Sequence, residues 1–267
     1  MSFASASAVE GGESGLWHGS IADGWDIAGN ANGGYMLAIA ARAGALASRR
    51  PDPVTLTGHF LRPGQPGPVT IETEILKEGR RFSTVRATLF SAERAIVAAL
   101  GSYTEIAERP TGTPDRVEAQ PPDLPSPEDC IAVEPTETFP PPFMGHVELR
   151  LHPDDVPSMG RRSDLPQVRG WFRWPDGEAL DTLGLVVAVD AFPPTIFNAN
   201  LPIAWTPTIE LTAHIRAVPP PREWLRCAFT TRFITGGFLE EDGELWDGDD
   251  RLVAQSRQLS LLPRGNG

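Results

Sequence analysis

Asp190 is the residue whose position in the sequence most strongly suggests a catalytic role. It follows Val189 at the end of an apolar run and precedes Pro193-Pro194, which predicts a position in the last turn of a buried helix. The helix dipole disfavours a carboxylate there and burial raises its pKa, so the position costs stability unless the group has a use. A carboxylate with a raised pKa suits general-base catalysis. The alternative is a helix-end aspartate that points into water.

Two polar residues on predicted strands are the other catalytic candidates. Gln258 alternates with alanine and serine, and these small neighbours leave room beside its amide. An amide both donates and accepts hydrogen bonds, so it can orient a water molecule or a developing oxyanion. The alternative for Gln258 is an exposed polar strand residue. Thr208 lies on the even-numbered, polar face of the run 205–217, and Thr206 replaces it if the strand register differs.

Several other kinds of site are not expected. The five histidines have no metal-ligand spacing, Cys130 and Cys227 form no Cys-x-x-Cys motif, and there is no Gly-x-Ser-x-Gly sequence. We therefore predict no metal and no serine-hydrolase nucleophile. The net charge of −12, with Lys77 as the one lysine, disfavours binding to nucleic acids or to anionic membranes.

No membrane or export segment is expected either. The longest apolar runs, such as 184–189 and 95–100, are far shorter than the about 20 residues that span a bilayer. The stretch 1–15 has no basic start followed by an apolar run. The sequence thus predicts a cytoplasmic protein, and its 267 residues allow one large domain or two small ones.

A repeat decides between one domain and two. A proline-rich stretch divides the chain into a first domain at 1–106, a linker at 107–143 and a second domain at 144–267. The motif Leu56-Thr57-Gly58-His59-Phe60 returns as Leu211-Thr212-Ala213-His214-Ile215. Val97-Ala98 likewise returns as Val253-Ala254. Two matches in the same order predict a duplicated domain.

Each half has the same predicted plan of one apolar helix and several strands. The first helix begins after the N-cap Asn32 and runs to about Leu46, and the second runs from about Glu178 to Phe192. Helices that are apolar on most faces must be buried, and the sheet of each half provides the surface. We predict an α+β fold, a double hotdog, in which two long helices are each wrapped by an antiparallel sheet. The predicted strands are 16–22, 54–61, 69–76, 82–90 and 95–106, then 168–174, 208–217, 224–233, 238–246 and 252–262.

Three motifs carry a resemblance to a known family. They are Asn32-Gly33-Gly34-Tyr35, His59-Phe60-Leu61-Arg62-Pro63-Gly64 and Gly79-Arg80-Arg81-Phe82-Ser83. With them, the chain resembles the double-hotdog acyl-CoA thioesterases of the thioesterase II type over 15–106 and 169–262. This resemblance implies hydrolysis of a fatty or related acyl-CoA to free acid and coenzyme A, without a cofactor.

The resemblance also implies roles for the three candidates. In this family the catalytic residues are an Asp late in the second helix, a Ser or Thr on the next strand and a Gln on the last strand, which match Asp190, Thr208 and Gln258. The family's common Thr-Ile-Asp-His step differs here, because Glu210 and Leu211 fill its last two places. Asp190 would take a proton from the water that attacks the thioester carbonyl, and a nucleophilic role for its carboxylate is the alternative. One active site per chain is expected, because Arg42 and Ser102 stand at the first-half positions that match Asp190 and Gln258.

Substrate contacts are expected from the first half. The free N–H groups of Gly33 and Gly34 suit a thioester oxygen or a phosphate, and close helix–sheet packing is the alternative. Arginine binds phosphate through two N–H groups, so the candidates for the coenzyme A phosphates are Arg62, Arg80 and Arg81, with Arg49 and Arg50 beside them. Solvated surface arginines are the alternative.

Two other functions and an assembly remain as hypotheses. A non-catalytic acyl-CoA or acyl-group binding protein would have the same pocket but would not hydrolyse the thioester. A hydratase-like hotdog would want an Asp/His pair at the helix, and no His lies near Asp190 in the sequence. Open sheet edges predict pairing into a homo-oligomer, a dimer of double hotdogs.

Overall fold

The computed structural model describes residues 1–106, 116–136, 140–156, 165–199, 201, 206–221 and 223–262. Its elements are α1 (Phe3–Ala6), β1 (Val9–Gly11), β2 (Leu16–Ile21), β3 (Asp26–Ile27), β4 (Asn30–Ala31), α2 (Gly33–Ser48), β5 (Asp52–Phe60), β6 (Gly67–Glu78), β7 (Ser83–Ser91), β8 (Arg94–Thr104), β9 (Ile131–Ala132), β10 (Glu148–Leu151), β11 (Gln167–Arg173), α3 (Thr182–Ala188), β12 (Thr208–Ile215), β13 (Leu225–Thr230), β14 (Ile234–Thr235), β15 (Phe238–Trp246) and β16 (Leu252–Leu261). Within the described ranges, fourteen strands form one antiparallel sheet in the order β1-β2-β6-β7-β8-β5-β12-β16-β15-β13-β11-β10-β9, with β14 paired to β15, and β3 and β4 form a separate hairpin.

Helix α2 is the buried helix that the sequence predicts. Asn32 is its N-cap, and the Asn32 Oδ1 accepts the main-chain N–H of Tyr35 at 2.8 Å. Leu37, Ile39 and most of their neighbours on the helix are fully buried, because the helix lies against strands β5 to β8 of its own half. The apolar character of nearly every face thus has a direct structural cause.

Helix α3 is shorter than predicted. The sequence predicts 178–192, whereas the helix covers Thr182–Ala188. Asp181 begins it, because its side chain accepts the N–H of Gly184 at 2.7 Å, and a separate 3₁₀ turn at Pro175–Gly177 precedes it. Asp190 therefore lies two residues beyond the helix end rather than inside its last turn.

The two halves join through the repeated motif. Strands β5 and β12 pair so that Thr57 faces Thr212, and their hydroxyl oxygens lie 2.8 Å apart. These two residues are separated by 155 positions, the offset of the repeat itself. A residue that pairs with its own counterpart across an antiparallel ladder marks a local twofold axis. The halves are thus related by a rotation about a point between β5 and β12.

A β-bulge occurs at the same place in both copies. The register shifts between Pro53 and Thr55 in the first half, and between Thr208 and Glu210 in the second. A bulge inserts one residue into a strand and changes the face on which the preceding residues lie. Its duplication shows that this irregularity belongs to the repeated unit.

The ladders correct one predicted match between the halves. Gln258 faces Leu211, and the counterpart of Leu211 in the first half, Leu56, faces Gly101. The first-half match of Gln258 is therefore Gly101 and not Ser102. A Cβ at Gly101 would lie 2.8 Å from the ring of Tyr103, so this ring fills the space that the side chain of Gln258 takes in the second half.

The predicted linker contributes to the fold. Its residues 107–115 and 137–139 lie outside the described residues. In the described part, β9 pairs with β10, and the indole N–H of Trp171 donates to the Pro125 carbonyl at 3.0 Å. Phe143 is fully buried. The described part thus packs along the second half instead of standing free.

The described sheet ends in short strands. Its two outermost strands, β1 and β9, have three and two residues, and such short edges offer little to a pairing strand. The dimer stays a prediction, and light scattering of the protein in solution tests it. Among the described helices, none has the length and apolar character needed to cross a bilayer.

Candidate active site

The site begins where the start of α2 meets the end of α3. A Cβ at Gly34 would lie 2.7 Å from the carbonyl oxygen of Val186 and 2.8 Å from Cβ of Asp190. A Cβ at Gly33 would lie 3.0 Å from Asp190 Oδ2 and from the ring of Phe60. Only glycine permits this approach without movement of the main chain. The Gly-Gly pair therefore lets a helix of one half reach the aspartate of the other.

The carboxylate of Asp190 binds the N-terminus of α2. Its Oδ2 accepts the N–H of Gly34 at 2.7 Å and the side-chain amide of Asn32 at 3.1 Å. The same Asn32 Nδ2 donates to the main-chain carbonyl of Asp190 at 2.9 Å. The end of its own helix disfavours this charge, whereas the positive N-terminus of the other helix favours it.

Burial and charge tune the acidity of Asp190. Burial, aided by the charge of Glu241, raises the pKa of this carboxyl from 3.8 to about 7, while the N–H groups of Gly34 and Gly33 and the Asn32 amide oppose the rise. At neutral pH the group is therefore close to half ionised, and it can both accept and return a proton.

Thr208 lies on the inner face of the sheet because of the bulge in β12. Alternation alone predicts that it shares the outer, polar face with Glu210, which is wrong. The extra residue at the bulge reverses the alternation of inward and outward side chains, so Thr208 lies opposite Ser260. Ser260 is buried, and its hydroxyl donates to Thr208 Oγ1 at 3.3 Å.

Gln258 connects Thr208 to a buried carboxylate. Its Oε1 accepts the hydroxyl of Thr208 at 3.1 Å, and its Nε2 donates to Glu241 Oε1 at 2.8 Å. It shares the inner face with Leu211, the residue opposite it on β12. The structure thus brings Thr208 and Gln258 into direct contact. Among the described residues, Asp190 has no hydrogen bond to either of them, and the charge of Glu241, which binds Gln258, contributes to its raised pKa.

Glu241 is a site residue that the sequence analysis missed. It is 4% exposed, and its Oε2 accepts the main-chain N–H of Thr195 at 2.8 Å. Burial raises the pKa of its carboxyl, and hydrogen bonds from Thr195 and Gln258 oppose the rise. The signal was present, because Glu241 occupies an inward position in an alternation with Leu239, Gly243 and Leu245.

The predicted substrate contacts do not gather at one place. The N–H of Gly34 is already bound to Asp190, so it is not free for a thioester oxygen or a phosphate. Arg62 follows β5 near this site, and its Nη1 donates to the Ala95 carbonyl at 2.7 Å. Arg80 and Arg81 lie at the far end of α2, where their carbonyls accept from Arg50, the second residue after the helix.

The length of α2 sets the distance between these arginines. Its 16 residues span about 24 Å, so Arg80 and Arg81 do not form one cluster with Arg62. The guanidinium of Arg50 also donates to the Gly79 carbonyl at 2.8 Å, so it connects the end of α2 to the β6–β7 hairpin.

No group of three or more potential metal-binding side chains occurs in the part of the chain that the structure describes.

A buried helix in each half, a continuous antiparallel sheet and a local twofold axis define a double-hotdog protein. Family models also match the chain as two domains. The N-terminal domain of acyl-CoA thioesterases matches residues 21–104, and the C-terminal domain matches residues 127–262. The chain belongs to this acyl-CoA thioesterase family.

Individual proteins are similar to this chain over most of its length. An uncharacterised protein of Mycobacterium tuberculosis is 30% identical over 273 residues, which cover 93% of this chain and 91% of that protein. The crystal structure of a candidate thioesterase II from Thermobifida fusca has 32% identity and a TM-score of 0.88, with 98% of this chain and 97% of that one covered. A hotdog protein of unknown function from Alicyclobacillus acidocaldarius has 22% identity and a TM-score of 0.84, with 98% of each chain covered, and it supports the fold alone.

Proposed function

We propose that the chain hydrolyses acyl-CoA thioesters to a free acid and coenzyme A, with a water molecule as the nucleophile. The observation that carries the proposal is the carboxyl of Asp190, whose pKa burial raises to about 7. The charge of Glu241 acts on this carboxyl, and Glu241 in turn binds Gln258, which accepts the hydroxyl of Thr208. A base beside uncharged donors and acceptors is what activation of water requires.

The reaction takes place in two steps in this proposal. Asp190 takes a proton from the water while the water oxygen bonds to the thioester carbon, and the carbonyl oxygen gains the negative charge. Gln258 orients the water, because one Nε2 hydrogen is bound to Glu241 and the second has no partner among the described residues. The C–S bond then breaks, the carbonyl re-forms, and the sulfur leaves with the proton that Asp190 holds.

The substrate class rests on the family and on the T. fusca relative described as a candidate thioesterase II. Of the predicted phosphate ligands, Arg62 is the one that follows the strand ending beside Gly33, since the ring of Phe60 lies 3.0 Å from the position of a Gly33 Cβ. We therefore assign Arg62 rather than Arg80 or Arg81 to the coenzyme A end of a fatty or related acyl-CoA.

Release of the thiol from a panel of acyl-CoAs tests this function. Wild type is compared with Asp190→Asn and with Asp249→Asn, a matched change at an exposed position. We expect thiol release from at least one chain length by the wild type and by the Asp249 variant. Absence of release from every acyl-CoA by the wild type would refute the proposed function, and binding without release would favour the non-catalytic alternative.

A further inference from the structure

Glu241 is buried without a cationic partner among the described residues. Its side chain has the N–H of Thr195 on one oxygen and the amide of Gln258 on the other, both at 2.8 Å. Burying a carboxylate costs several kcal/mol, and two neutral hydrogen bonds offset only part of that cost. An apolar residue at this inward position would pack without the penalty. Glu241 thus reduces stability, and its contacts indicate what it does instead.

The contact with Gln258 has a directional consequence. A free amide can rotate by half a turn and exchange its oxygen with its nitrogen. An ionised carboxylate only accepts hydrogen bonds, so Gln258 must present Nε2 to Glu241. Its Oε1 then faces the hydroxyl of Thr208, which donates to it at 3.1 Å. The carboxylate therefore decides which end of the amide points to each neighbour.

We propose that Glu241 is a positioning residue for the hydrolysis: its carboxylate holds the Gln258 amide in one orientation and so fixes the group that meets the reacting water. This inference rests on the proposed function. One further contact supports it. Thr195, whose N–H binds the other oxygen of Glu241, is buried, and its hydroxyl lies 2.6 Å from that of Thr231. Both carboxylate oxygens of Glu241 are therefore held by fixed partners.

The charge of Glu241 should also affect the pH profile of the reaction, which a purely structural role would leave unchanged. It is among the causes that raise the pKa of Asp190, so removal of this charge shifts the acidic limb of the rate profile to lower pH. Among the described residues, the groups that act on the pKa of Asp190 are the charge of Glu241, the Asn32 amide and the N–H groups of Gly33 and Gly34. Of these, Glu241 alone titrates.

Glu240 provides a matched control for this test. Glu240 is the same residue type on the same strand, but it lies on the opposite face, where its Oε1 accepts the N–H of Arg232 at 3.1 Å. Glu240→Gln therefore removes a neighbouring charge without contact with Gln258, and because that charge raises the pKa of Glu241, its loss favours the ionised form that the proposal requires. A loss of activity common to both variants would indicate general damage to β15.

The kinetic test compares wild type, Glu241→Gln and Glu240→Gln. For Glu241→Gln we expect kcat to fall by about 10- to 100-fold, because misplacement of a reacting group by about 1 Å can cost a loss of this size. KM should stay the same, and the pH midpoint of kcat/KM should decrease. Glu240→Gln should match the wild type. A normal kcat and midpoint for Glu241→Gln would overturn the role of Glu241 while the hydrolase function stands, whereas no thiol release by the wild type would overturn both.

An NMR measurement on the wild type tests the contact between Glu241 and Gln258 without a variant of Glu241. The side-chain amide signals of Gln258 are assigned as those that Gln258→Leu removes. They should shift as Glu241 gains a proton on acidification, because the acceptor of Nε2 loses its charge. Signals that do not change with pH would overturn the proposal, whatever the kinetics.

Discussion

Replacement of Asp190 by asparagine should change how the stability of the folded chain depends on pH. Burial raises the pKa of the Asp190 carboxyl from 3.8 to about 7. Between these values the folded chain keeps a proton that the unfolded chain releases, so stability falls as the pH rises through this window. Asparagine has no such penalty, and its oxygen can still accept the N–H of Gly34.

The size of the effect follows from the pKa difference. A shift from 3.8 to about 7 corresponds to ~4 kcal/mol of lost stability once the group is fully ionised. The part lost between pH ~5 and pH ~8 is roughly 2.5 kcal/mol by linkage. Urea unfolding at both pH values should therefore show that Asp190→Asn gains about 2–3 kcal/mol relative to the wild type between them.

Asp249→Asn is the control for this measurement, because Asp249 is exposed. Its stability relative to the wild type should be the same at both pH values. If the difference between Asp190→Asn and the wild type also stays constant with pH, the carboxyl of Asp190 does not have a raised pKa, and the reasoning that makes it a base at neutral pH is refuted.

Three further changes test other parts of the structure. Gly34→Ala places a methyl group 2.7 Å from a main-chain oxygen of α3; urea unfolding should show a loss of about 1–3 kcal/mol, with slower thiol release, and an unchanged protein would contradict the close approach. Thr208→Val removes the donor to Gln258 and should lower kcat by about tenfold or more, while Thr208→Ser retains it; equal rates for the two would exclude a role for the hydroxyl. Thr57→Val breaks the contact with Thr212 at the join of the halves and should cost about 1 kcal/mol in urea with thiol release unchanged; loss of catalysis there would show that the join and the site are coupled.

Local sequence was enough to predict the elements that depend on local signals. The N-cap Asn32 and the apolar run after it predict α2, which ends at Ser48, two residues beyond the expected end. The repeat predicts the double hotdog, and the family comparison bears that fold out. The second helix was overestimated, because an apolar run continues past Ala188 although the helix ends there.

Features that depend on strand pairing could not be predicted in the same way. The bulge after Thr208 turns that residue to the inner face, and its position is defined only by the partner strand β16. The contact of Asp190 with Gly34 joins residues 156 positions apart. Glu241 is different, because its inward phase was readable from the sequence. Three acidic residues in a row, Glu240 to Asp242, obscure this phase, because such a run is typical of a solvated strand.

The central claim is that Asp190 acts as the base in thioester hydrolysis, and the pH dependence of thiol release tests it most directly. The account predicts that kcat/KM of the wild type rises with pH to a plateau, with a midpoint near the pKa of about 7. Asp190→Asn should be slower by about 10²- to 10⁴-fold, with no midpoint in this range. Equal rates for the two proteins, or a wild-type rate that does not change between pH ~5 and pH ~8, would contradict it.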